Sequence, residues 1–175
     1  MLIAACGGNG SVKPSSVSSI TPTSPVPDTA VTSHVTSDVQ PQKTAAVAAV
    51  VALWRQIDRL ENNPKDDLTT LDSVARSQVL TQWQYNISTA RQKGETSKGN
   101  TVVKLSNARR NPLAPESSYT VTACLDVSRV RVFDSSGRSI VSRSRPPKVA
   151  YRYDVIRDSK SMKWYVTVAK AAGTC

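Results

Sequence analysis

Apolar positions change their period near residue 95. From residue 44 to residue 92 they recur every three or four residues, and from residue 101 onward they alternate. The first regime predicts helices and the second predicts strands. A helix is expected over 44–61, with Val47, Val50, Val51, Trp54, Ile57 and Glu61 on one face and Leu60 beside them. Thr44 stands where a cap is needed, and Asn62-Asn63-Pro64 ends the helix. Leu68, Leu71 and Val74 suggest a short second helix, with Asp66 and Asp67 near its positive end. A third helix is expected from about Ser77 to Gln92. Arg76, Leu80, Trp83 and Ile87 follow its period, Val79 lies alongside, and Gly94 is the stop.

The strand regime opens with Thr101–Leu105. Tyr119, Val121, Ala123 and Leu125 then alternate with Thr120, Thr122, Cys124 and Asp126, which puts Cys124 on the threonine-bearing face. Arg129 to Phe133 reads as a third strand. Asp134-Ser135-Ser136-Gly137 is a turn, and Arg138 to Ser142 returns as a hairpin arm. Lys148–Asp158 is a long strand with Tyr151, Tyr153 and Val155 on one face. Met162–Ala169 is the last, with Trp164, Val166 and Val168 together. Helices followed by antiparallel strands predict an α+β fold, helices on one face of a curved sheet, with the final hairpin at its centre.

Residues 7–43 have neither period. They are rich in Ser, Thr, Pro and Val and contain no aromatic residue. Such a segment cannot bury enough surface to offset its ordering entropy, so it reads as a disordered tether with a reach of about 35 Å. The chain's single histidine, His34, falls there and is expected to be solvated. The expected organisation is therefore a signal remnant over 1–6, a tether over 7–43 and one α+β domain over 44–175.

Charge and cysteines sharpen this picture. The formal net charge is +10. Lys13 and Lys43 balance Asp28 and Asp38 in the first 43 residues, so the excess lies on the domain. Such a domain is drawn to anionic surfaces. Arg129, Arg131, Arg138, Arg143, Arg145 and Arg152 gather, with Lys148, around one hairpin and the next strand, a candidate patch for an anionic partner. Aromatic residues are not interleaved with it, and nucleic acid is not expected. The three cysteines divide as one lipidated residue, Cys6, and one disulfide, Cys124 with Cys175. That division implies an oxidising compartment outside the cytoplasm.

Ile3-Ala4-Ala5-Cys6 resembles the bacterial lipobox, which implies acylation of Cys6 and anchoring to a membrane by an N-terminal lipid. No basic region and almost no apolar run precede it, so residues 1–6 read as a truncated lipoprotein signal. Leu53-Trp54, the helix carrying Ala75-Arg76 and Trp83, the run Tyr119–Val127 and the terminal Gly173-Thr174-Cys175 together resemble the NTF2-like (SnoaL-like) cone domain. More narrowly, they resemble secreted lipoproteins of actinobacteria and their phages that carry it. The resemblance covers 44–175. It implies a membrane-anchored extracytoplasmic binding protein, for an envelope protein or an anionic polymer, with phage superinfection exclusion as one variant and a dimer allowed.

Catalytic chemistry has little to stand on. The domain has no histidine base, no clustered zinc ligands and no phosphate-cradling glycine loop, and no cofactor is expected. The alternative is a small-molecule binder or isomerase-like protein using a cone cavity. Trp54, Asp58, Trp83 and Tyr85 are the candidate cavity residues, and Asp126 is a further carboxylate to consider.

Overall fold

The structure, a computed structural model, describes residues 39–114 and 117–175. Cys6, His34 and the tether up to residue 38 lie outside the described residues. The domain comprises helix α1 (Val39–Asn62), a 3-10 helix (Leu68–Ser73), helix α2 (Ser77–Gln92) and six strands. The strands are β1 (Thr96–Lys98), β2 (Val102–Arg110), β3 (Ser118–Asp126), β4 (Arg131–Phe133), β5 (Lys148–Arg157) and β6 (Trp164–Ala171). Four form an open antiparallel sheet in the order β2-β3-β5-β6, and β1 pairs with β4 in a separate ribbon. The described residues form no closed barrel.

The helices pack on one face of the sheet, and the alternation of β3 shows why. Tyr119, Val121, Ala123 and Leu125 are all buried, while the residues between them are not. They meet Ala46, Val50, Leu53, Trp54, Ile57 and Leu60 of α1. From α2 the core takes Val79 and Ile87, and from β5 it takes Tyr153 and Val155. Burying such side chains contributes about 1.5–3 kcal/mol each before entropy is counted, which is what makes these short elements cohere.

Several expectations are corrected. Helix α1 spans Val39–Asn62 and so includes residues 39–43 of the expected tether; Pro41 is tolerated there because it sits in the first turn, where no backbone N–H is needed. Thr44 is therefore not a cap; its hydroxyl donates to the Gln40 carbonyl at 3.0 Å. The sheet's centre is β3–β5, and the final hairpin β5–β6 lies toward an edge. The register of β6 shifts between its pairings with Asp154 and Val155. This bulge inverts the alternation, so Val166 and Ala169 meet the core and Val168 does not. Residues 138–142 form no strand; only a bridge from Phe133 to Ser139 remains of the expected hairpin. Ribbon β1–β4 depends instead on Gly99. At φ +97° this residue passes so close to Arg129 that a Cβ would lie 2.3 Å from the Arg129 carbonyl oxygen.

Cys124 and Cys175 are disulfide-bonded, with Cα atoms 5.9 Å apart. Cys124 pairs with Ala150 across the ladder. Ala150 in turn donates to the Gly173 carbonyl and accepts from Ala172 N–H. The bond thus arches over β5 from β3 to the chain's end, on the outer face, and the small side chain of Ala150 lies beneath it.

Candidate functional site

The interior holds an aromatic cluster. Trp54 donates its indole N–H to the Tyr153 hydroxyl at 2.8 Å. Its ring meets Trp83 edge-on at 5.4 Å and Tyr151 at 6.4 Å, and Tyr151 stacks on Tyr153 at 5.9 Å. Trp54 and Tyr153 are buried, and burial holds the Tyr153 phenol well above its usual value. Helical spacing on α1 aims Trp54 inward, and the parity of β5 aims Tyr153 to meet it.

The four cavity candidates do not converge. Trp54 is core. Trp83 is half-buried above it and faces a groove between α2 and the β5–β6 end of the sheet. Tyr85 is 68% exposed. It stands two positions from both Trp83 and Ile87, about 200° around the helix from the inward face. Asp58 is buried, but its two oxygens accept from Thr101 N–H at 2.8 Å and the Thr101 hydroxyl at 2.9 Å. It anchors the entry to β2. The Ser128 side chain, and after it the Ser128 N–H that Asp126 accepts at 3.0 Å, lower the pKa of Asp126.

The groove of about 310 Å³ is lined by Trp83 and Tyr151 together with Gln78, Gln82 and Asn86. The three carboxamides stand four residues apart on α2, one stripe of a helix face. That spacing was readable in the sequence as Gln-x-x-x-Gln-x-x-x-Asn. Its meeting with Tyr151, some 70 residues on, was not.

A second hollow, about 130 Å³, lies between the C-terminal ends of α1 and α2 and the β1–β4 ribbon. Leu60, Ile87 and Val132 line it with Glu61 and Arg91. The Arg91 guanidinium donates to the carbonyls of Leu60, Asn63 and Asp66, closing the end of α1 with a cation where the helix dipole favours one. Glu61 has no hydrogen-bond partner among the described residues. Burial, and secondarily the Asp58 carboxylate, raise its pKa from 4.5 to about 7. Burial likewise raises that of Asp58.

A pH prediction follows from Glu61. Below about 4.5 both folded and unfolded chains carry its proton. Between there and about 7 the unfolded chain ionises first, so rising pH favours unfolding. Discounted for partial exposure, the loss is about 1–2 kcal/mol. Urea melts from pH 5 to 8 should therefore show Glu61→Gln gaining that much on the native chain; parallel profiles would refute it.

The arginines are only partly gathered. Arg131, Arg143 and Arg145 line an open hollow of about 400 Å³. Arg145 donates to the Val127 and Val130 carbonyls, and Arg131 to those of Ser128 and Val130. These guanidiniums hold the loop as well as charging it. Arg138 is paired with Asp134 at 3.2 Å, and Arg129 lies outside the strand assigned to it. Arg152 stands on the sheet's outer face opposite Thr122 and Lys170. The expected single patch is thus divided, because β4 ends at Phe133 and the segment after it is a loop. The described residues contain no group of three or more metal-ligating side chains. They also contain no helix long and apolar enough to cross a membrane.

No family model and no curated protein matches the chain. Among solved structures, the domain is similar to the intermembrane space region of chloroplast protein ARC6. The TM-score is 0.54 at 17% identity, over 74% of this chain and 97% of that one. At that identity the likeness concerns the fold alone. A de novo designed β-sheet protein aligns with a TM-score of 0.29 at 14% identity, over 77% of this chain and 90% of that one, which supports no comparison.

Proposed function

We propose that the chain is a non-catalytic, extracytoplasmic binding protein, held to a membrane by a lipid on Cys6, whose NTF2-like cone domain engages an envelope component through its surface. The disulfide between Cys124 and Cys175 carries this reading. Such bonds persist outside the reducing cytoplasm, and here one ties β3 to the C-terminal segment that pairs beside β5. The interior supports the same view. Where a cone enzyme would keep a cavity, Trp54 and Tyr153 fill the space against each other. Binding is left to the surface grooves.

The isomerase-like alternative would need a reacting carboxyl group in a pocket that admits a substrate. Glu61 has the raised pKa, but its hollow of about 130 Å³ is well below the 300–1,000 Å³ of ordinary ligand pockets.

Fractionation tests the anchor. Expressed behind a heterologous lipoprotein signal region fused ahead of Cys6, the chain should sediment with membranes and take up labelled palmitate. Cys6→Ala should move to the soluble fraction and lose the label. Unchanged sedimentation of Cys6→Ala would refute lipid anchoring.

A further inference from the structure

We infer that the groove between α2 and the β5–β6 end of the sheet is a glycan-binding site for an uncharged segment of an envelope polysaccharide. The inference rests on the reading that the domain binds an envelope component, and it names the site and the ligand class.

The lining is the first observation. Trp83 and Tyr151 are both half-buried, their inner surfaces against Trp54, so the remainder of each ring forms the groove wall. Aromatic faces carry negative potential, and the C–H-bearing face of a pyranose ring presents the positive complement. The Trp54–Tyr153 hydrogen bond and the Tyr151–Tyr153 stack hold the platform in place before any ligand arrives, which lowers the entropy lost on binding.

The polar groups are the second. Gln82 and Asn86 stand exposed on α2, joined by a bond from Gln82 Nε2 to Asn86 Oδ1 at 3.0 Å. That leaves the Gln82 carbonyl oxygen and the Asn86 amino group without partners among the described residues, an acceptor and a donor side by side. Vicinal sugar hydroxyls offer the matching donor and acceptor. The Tyr151 hydroxyl adds a third group, also without a hydrogen-bond partner among the described residues.

Charge is the third. Residues 44–175 carry the whole +10, yet no acidic or basic side chain lines this groove. An anionic polymer would be drawn elsewhere, to Arg131, Arg143 and Arg145.

A peptide is the competing occupant, and the sheet edge argues against it. An extended peptide would add to β6 through backbone bonds. There the Ala169 N–H already donates to Gln78 Oε1 at 3.1 Å, and Val166 is bonded on both sides to the 74–76 segment. The edge beside the groove is capped.

The test is a titration of the oxidised 175-residue chain with chitohexaose, cellohexaose and maltohexaose, read by tryptophan fluorescence and by calorimetry. At least one should bind saturably, with an affinity unchanged between low and high salt. Gln82→Ala and Asn86→Ala should each weaken it about 2- to 10-fold at unchanged melting temperature. Trp83→Ala should abolish it, but Trp83 also packs on Trp54, so the two exposed amides are the decisive variants. Failure of all three oligosaccharides to bind would overturn the inference. So would binding that ignores both amide variants, binding that falls steeply with salt, or a groove that captures peptides instead. Membrane sedimentation through Cys6 can hold in each of those cases, so the anchor and the glycan site fail separately.

Discussion

Replacing both Cys124 and Cys175 with serine should lower the unfolding free energy by about 3–4 kcal/mol and the melting temperature by about 10–20 °C. The magnitude follows from the 51-residue separation of the two cysteines. A closed loop of that length removes much of the unfolded chain's freedom, and the chain-entropy model places the effect near 4 kcal/mol. The folded sheet itself should survive. The β3–β5 and β5–β6 ladders do not require the bond, and Ala150 keeps its two backbone bonds to Ala172 and Gly173. The variant should therefore show an unchanged far-ultraviolet spectrum and an earlier thermal transition. Intact mass of the native chain should be two hydrogen atoms below that of its reduced form. A loss under about 1 kcal/mol would mean that the unfolded chain is already restrained by other means.

Trp54 sets the second large effect. Trp54→Ala should cost about 3–5 kcal/mol, since it removes the largest side chain of α1 from the space between Trp83, Tyr151 and Tyr153. Trp54→Phe separates packing from hydrogen bonding. It retains most of the volume but takes the donor from the Tyr153 hydroxyl, at about 1–2 kcal/mol. Tyr153→Phe should cost about the same, leaving the indole N–H unpaired in a buried site. Combining the two should cost less than their sum, because the double variant has neither orphaned group. Denaturant melts of the four proteins form the cycle. Strict additivity would show that the 2.8 Å bond contributes no coupling.

These expectations differ in how far the sequence alone anticipated them. The limits of α2, Ser77–Gln92, match the periodicity reading because helical spacing is local and Gly94, at φ +68°, stops it. The inward set of β3 was equally legible, as was the outward Cys124. The pairing of Cys124 with Cys175 needed only an odd cysteine count and two strands. Strand β4 lies inside the stretch Arg129–Phe133 read as a strand, whereas β1, and with it the ribbon, escapes the pattern because a three-residue strand is too short to show a period. Val168 was misplaced because a bulge inverts parity without leaving a mark in the hydrophobic pattern. Closeness in sequence does not make the arginines one patch: Arg152 lies mid-strand on the outer face and Arg138 is paired with Asp134.

The sequence by itself determined the fold class, helices before an antiparallel sheet, and the outward cysteine, since these follow from residue spacing along one element. Tertiary structure alone decided what each polar and aromatic side chain is for. Asp58 became an anchor for Thr101, Glu61 a carboxyl group held near neutrality by burial, and Trp54 a filler of the interior. The groove exists only because the amide stripe of α2 packs beside Tyr151 of β5. Burial and cross-chain proximity set pKa, partner and exposure, and neither is a property of sequence neighbours.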